Sequence, residues 1–265
     1  MENLLLEWLS TDNLLLCGIG ILAAIIGVMF GAAGFVLLPA LLLVGIPIHA
    51  TVAVNKFATG ISSFSTILVL VLKRKVKLKE MLPFMLFAGL GGIFGAFFTT
   101  RLLEQTMNII ACIVLIAMFF VVLKSKKTGL VNEQLDTEQL VSMQEGNKKL
   151  TTLFVPFFIG TYDGGFGPGS ALLNITYFLK RQFSYVKAAE MTRFVTFSSC
   201  ISAFIFYFFY GIVNWGIAIP ITVGSIIGSH IGLKVVPYIK GRWVQILLPA
   251  IFLLLIIQVV SDMLF

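Results

Sequence analysis

Six stretches of the chain, at 50–72, 81–100, 106–123, 186–210, 215–236 and 243–264, stay apolar long enough to cross a bilayer. A crossing takes about 20 residues, and backbone facing hydrocarbon must satisfy its own hydrogen bonds, so these runs predict spanning helices. Composition agrees, with 58% hydrophobic and 12% charged residues, against about 25% charged in soluble domains. Secreted disulfide scaffolds, disordered chains and cytosolic enzymes are excluded. Cys17, Cys112 and Cys200 lie far apart in apolar runs, with no metal-ligand spacing, and read as small apolar filler. Glu2, Glu7 and Asp12 stand where a signal peptide would be basic, so the first apolar run is expected to stay in the mature protein.

Two further runs are broken. The run 14–45 carries Gly31, Gly34 and Pro39, and 150–179 carries Tyr162-Asp163-Gly164-Gly165-Phe166-Gly167-Pro168-Gly169. Such density of glycine and proline ends helices, predicting two short arms around a non-helical tip in each run. The polar stretch 125–149 reads as a linker between halves.

The halves resemble each other. An offset of 133 pairs Gly27 with Gly160, Gly31 with Gly164 and Gly34 with Gly167. Downstream an offset of 137 pairs Lys56 with Arg193, Thr59 with Thr196, Ser62 with Ser199, Gly91 with Gly228 and Gly95 with Gly232. The expected organisation is an N-terminal segment 1–13, repeat 1 over 14–124, a cytoplasmic linker 125–149 and repeat 2 over 150–265.

The net charge of +7 sits in short loops, which reads as the positive-inside bias of a membrane protein and not as a nucleic-acid surface. If each broken run returns to the side it entered, sixteen of the nineteen basic residues share one face. If each crosses once, the split is ten against seven. The first arrangement follows the positive-inside rule, gives each half an odd number of crossings and inverts the second copy. It predicts an all-α membrane protein of two inverted repeats, each a re-entrant hairpin plus three transmembrane helices, with both termini outside. The eight-span alternative stays open at this stage.

Lys56 and Arg193 lie inside predicted spans, where a charge costs about 2.5–3.5 kcal/mol and usually faces a cavity or a partner. Asn55, Thr59, Thr192 and Thr196 surround them along the helices, a donor set suited to a small oxyanion. Snorkelling, or for Arg193 a pair with Glu190, is the alternative. At the tips, Gly31, Gly34, Gly164, Gly167 and Gly169 let backbone N–H groups approach an anion, and Pro168 suits the start of an outgoing arm. Gly91, Gly95, Gly228 and Gly232 fall at helix-packing spacing. Asp163 and Glu190 are proton-coupling candidates, and Asp163 is alternatively a helix cap or the partner of Lys56. His49 falls in a predicted loop and His230 in a packing stretch. No catalytic arrangement, metal site or cofactor fingerprint stands out.

Gly27-Val-Met-Phe-Gly31-Ala-Ala-Gly34, Leu38-Pro39-Ala40-Leu41 and Ala53-Val54-Asn55-Lys56 resemble the first half of the TauE/SafE sulfite exporter (TSUP) family of membrane permeases. The second tip, Tyr162 to Gly169, is similar to that of one large branch of the family. The chain departs from the family pattern with Ala32-Ala33 at the first tip and Met191-Thr192-Arg193 in the second half. The resemblance implies a bacterial inner-membrane transporter moving sulfite, sulfoacetate or another organosulfonate, often outward and driven by the proton gradient. Rival expectations are a proton-coupled permease for another metabolite and a non-transporting membrane partner. The partners expected are a small anion, the lipid bilayer and protons; oligomeric state is not legible.

Overall fold

The computed structural model describes residues 11–110, apart from Glu104 and Asn108, and residues 150–238. Every regular element among them is a helix. The first half holds α1 (Thr11–Phe30), α2 (Ala33–Leu43), α3 (Ile48–Leu72) and α4 (Leu78–Thr99). The second holds α5 (Leu150–Gly165), α6 (Ser170–Lys180), α7 (Tyr185–Phe209) and α8 (Trp215–Val235), closed by a 3₁₀ turn at Val236–Tyr238. Five helices are long and apolar enough to cross a membrane: α1, α3, α4, α7, and α8 with its closing turn. The expected spans at 50–72, 81–100, 186–210 and 215–236 are α3, α4, α7 and α8. The linker 125–149, the span 243–264 and nearly all of 106–123 lie outside the described residues.

Both broken runs differ from expectation in where they break. α1 is not a short arm but 20 residues of unbroken helix. Its glycines do not end it because Gly20 lies against Ile221 of α8, and Gly27 against Ala33 of α2, where close packing offsets their poor helix propensity. The break falls at Gly31, whose φ of +72° is left-handed and stops the helix. Pro39 does not break α2, but lies inside it. In the second run Tyr162 to Gly165 remain helical, and only Phe166 to Gly169 form the tip. Here Gly167 and Gly169 take left-handed φ values of +95° and +79°. Pro168 therefore precedes the outgoing arm, which begins at Ser170.

Each second arm turns back along the first. Leu37 and Leu41 of α2 share a buried cluster with Ala23, against which Leu16 and Ile19 of α1 also pack. In the other half Phe84 of α4 meets Phe178 of α6 at 5.9 Å between ring centroids, while Phe87, one turn on, meets Phe154 of α5.

The halves exchange partners. α1 runs parallel to α8, with Gly224 against Cys17, Gly228 against Ile21 and Gly232 against Val28. α4 runs parallel to α5, with Gly91 against Phe157 and Gly95 against Thr161. Missing Cβ atoms bring these backbones into contact, the usual means of helix association where lipid removes the hydrophobic drive. At the centre α3 and α7 pack antiparallel: Phe64 faces Phe197, Gly60 lies against Cys200, and Phe57 faces Phe204 at 4.7 Å. Large apolar side chains point outward, as Ile219, Val223, Ile227 and Ile231 do on α8, while that helix turns Ser225, Gly228 and Ser229 inward. Small and polar inside, large and apolar outside, is the polarity of a helix bundle in lipid.

Candidate functional site at the crossed tips

The two tips meet inside the molecule. Gly31 sits against the backbone of Ala171 and Leu172, and Gly34 against Pro168. A Cβ on Gly167 would strike the ammonium of Lys56 and crowd the Asn55 amide. α3 and α7 pass this crossing and deliver Lys56 and Arg193, which are 0% and 4% exposed.

Lys56 is neutralised by Asp163, Nζ to Oδ1 3.0 Å, with both side chains buried. The same carboxylate accepts from Ser170 Oγ at 2.7 Å, from Ser199 Oγ, and from Cys200 Sγ at 3.4 Å. Four donors around one carboxylate bind the second tip to α3 and α7. The tip is fixed further by Tyr207, whose hydroxyl donates to Gly164 O at 2.9 Å, and by Tyr162, whose hydroxyl donates to Pro168 O. Asp163 caps no helix by its side chain; the N-cap of α6 is Gly169.

Arg193 has different surroundings. It does not pair with Glu190, one turn away on α7, because Glu190 binds Lys75 of the α3–α4 loop at 3.1 Å. Its Nη2 donates to Gly27 O at 3.0 Å, and its Nε, though buried, has no hydrogen-bond partner among the described residues. It lines a small cavity of about 10 Å³, room for about one water, together with Thr59, Ser62, Ser225 and Ser229 and with Ala23, Ala24, Ala33 and Leu37. A buried guanidinium without a carboxylate, beside hydroxyls, is chemically suited to hold an oxyanion.

The remaining sequence candidates fall as follows. Asn55 accepts from Thr59 Oγ1 at 3.2 Å, next to the crossing. Thr192 and Thr196 are buried, and their hydroxyls have no partner among the described residues. Gly164 packs on the Gly92 backbone within the α4–α5 contact, away from the tip itself. His49 is helical, at the start of α3, and its ring lies 3.3 Å from Thr99 O. His230 joins α8 to Ser65 of α3 at 2.6 Å. Ser170, Ser225 and Ser229 were not singled out from sequence, and Cys200, read there as apolar filler, donates its thiol to Asp163. For Cys200 the repeat offset was available as a signal, since it places Cys200 opposite Ser63.

A bundle of helices long and apolar enough to cross a bilayer, with large apolar side chains outward and small and polar ones inward, defines a polytopic membrane protein. The family model "Sulfite exporter TauE/SafE" matches residues 16–259, and the chain belongs to this family of membrane transporters. It is similar to "Probable membrane transporter protein ORF9" of Sinorhizobium sp, 28% identical over 242 residues, or 91% of this chain and 89% of that protein. It is also similar to a "Probable membrane transporter protein" of Haemophilus influenzae, 26% identical over 225 residues and 84% of each chain. No solved structure matches.

Proposed function

We propose that the protein is a secondary transporter of the plasma membrane that moves a small sulfur-containing anion, such as sulfite, sulfoacetate or another organosulfonate, outward and coupled to the proton gradient. The observation that carries this reading is Arg193, a buried cation with no carboxylate in ion-pair contact among the described residues, beside the crossing of both tips. The sulfur chemistry of the substrate is drawn from the family description.

Alternating access follows from two inverted repeats, 14–124 and 150–265, rocking about the crossing. Three features support inversion. The matched helices α3 and α7 run antiparallel, each tip is a hairpin, and the packing of α1 on α8 is repeated by that of α5 on α4. Lys56 and Asp163 tie α3 of one half to the tip of the other. Asp163 and Glu190 remain the candidate proton sites, each beside a lysine that competes for the same carboxylate.

The test is flux in proteoliposomes holding the full chain, with sulfite, sulfoacetate, sulfate and thiosulfate under imposed pH gradients. Movement of sulfite or sulfoacetate that follows the pH gradient is expected. Absence of flux and binding for all four anions contradicts the reading.

A further inference from the structure

The turns that follow α3 and α7 are copies of one another, yet they close opposite ends of the molecule with different chemistry. Through the offset of 137, residues 73–77 match residues 210–214. Arg74 and Gly211 both take left-handed φ, +51° and +72°. The next amide returns to the helix in each turn, Lys75 N to Leu70 O and Ile212 N to Tyr207 O. After α3, Lys75 meets Glu190 of α7 at 3.1 Å, and the Lys187 ammonium donates to Lys75 O. The hydroxyl of Tyr185, the first residue of α7, donates to Met29 O beside the first tip. After α7 the matched residues are apolar. Ile212 stands for Lys75, Ala53 for Glu190, Ala50 for Lys187 and Ile48 for Tyr185. Ile48 and Ala53 are buried in one cluster, against which Ile212 and Phe166 of the second tip pack.

We propose that Lys75, Glu190 and Tyr185 form the gate at the end that carries the basic turn, and that Ile48, Ala53 and Ile212 form the tighter seal at the other. The inference deepens the transport reading and rests on it for what passes. Each closure ties a turn of one half to the central helix of the other, so each must part when the halves move against one another. The cost of parting differs. Separating the apolar closure carries hydrocarbon side chains into water. The Lys75 side chain is already 44% exposed, so water replaces its partner at small loss. The Glu190 side chain is 6% exposed, and a carboxylate left dry without its cation is costly, so departure of Lys75 draws water in after it. Arg193 follows three residues further along α7, on the same face of the helix, and is the next charged group that entering water reaches.

The test is the alkylation rate of one buried cysteine behind each closure, in the purified full chain carrying Cys17→Ala, Cys112→Ala and Cys200→Ser. Ala189→Cys reports on the polar closure, since Ala189 is 2% exposed in a cluster with Tyr185 and Met29. Val52→Cys reports on the apolar one, at the position the repeat matches to Ala189, and Val52 is 0% exposed. The probe is N-ethylmaleimide, which is neutral, with free cysteine as the reference for each buffer. When Glu190→Gln or Lys75→Ala removes the ion pair, Ala189→Cys is expected to react about threefold to fivefold faster, the range an exposed pair can hold, with Val52→Cys unchanged. Salt gives the same readout without breaking the pair by substitution: at 1 M the screening length falls to about 3 Å, and Ala189→Cys alone is expected to speed up. Val186→Cys, packed on the same cluster, replaces Ala189→Cys should that variant fail to fold. A rate at the polar end that ignores both the pair and salt, or a rise shared equally by Val52→Cys, overturns the proposal. The two levels separate cleanly. Rates that ignore the pair, in a protein that moves sulfite, remove the gate and leave transport standing. Rates that follow the pair, in a protein that moves no anion, remove transport and leave the opening standing.

Discussion

Lys56 and Arg193 occupy equivalent places in the two halves, yet only Lys56 has a carboxylate partner among the described residues. Around Lys56 a carboxylate accepts from an ammonium, two serine hydroxyls and a thiol. Around Arg193 one carbonyl takes one guanidinium hydrogen, and Nε is left over. The contrast separates holding a fold from holding a ligand. A satisfied buried ion pair between the halves acts as a fastening, and an unsatisfied buried cation beside a cavity waits for something else to complete it.

The contrast is most easily broken at the Lys56–Asp163 pair. Asp163→Leu strands Lys56 without a counter-charge and is expected to cost about 3–5 kcal/mol in unfolding free energy. The double variant Lys56→Met/Asp163→Leu is expected to recover most of that loss, because replacing a whole buried pair with apolar groups is close to neutral. Denaturant unfolding in detergent checks both, and a double variant as unstable as the single one contradicts the fastening role. A smaller effect is expected where the tips cross. Gly31→Ala meets a left-handed φ and the Leu172 backbone together, for a loss of about 1–3 kcal/mol. An unchanged unfolding midpoint in that variant would mean the tips do not depend on each other. The smallest belongs to Lys75→Ala. The Lys75 side chain is 44% exposed, so solvent screening limits its pair with Glu190 to about 1 kcal/mol or less, measured the same way.

Much of this fold was legible in the sequence because burial in lipid leaves so few options. The limits of α3, α4, α7 and α8 follow from apolar length alone, and Lys56 and Arg193 stood out because a charge inside a span is costly. The tips were legible in place but not in extent. Nothing local says that Gly20 and Gly27 will be packed against other helices and left helical while Gly31 turns left-handed, since the deciding neighbours, Ile221, Ala33 and Leu172, come from other elements. Pairing of charges failed for the same reason. Glu190 is three residues from Arg193, the natural helical partner, but the loop after α3 brings Lys75 to it. Asp163 reaches Lys56 across 107 residues of chain, a contact that sequence offers only as one alternative among three. The repeat offsets held more than was taken from them: the exchange of Asp163 for Phe30 between matched glycines is visible in the sequence.

The measurement that tests the account most directly is sulfite flux under an imposed pH gradient in proteoliposomes holding the folded wild type or folded Arg193→Gln. The account predicts flux that follows the gradient in the wild type and is lost in Arg193→Gln. Sulfite flux undiminished in folded Arg193→Gln would contradict it.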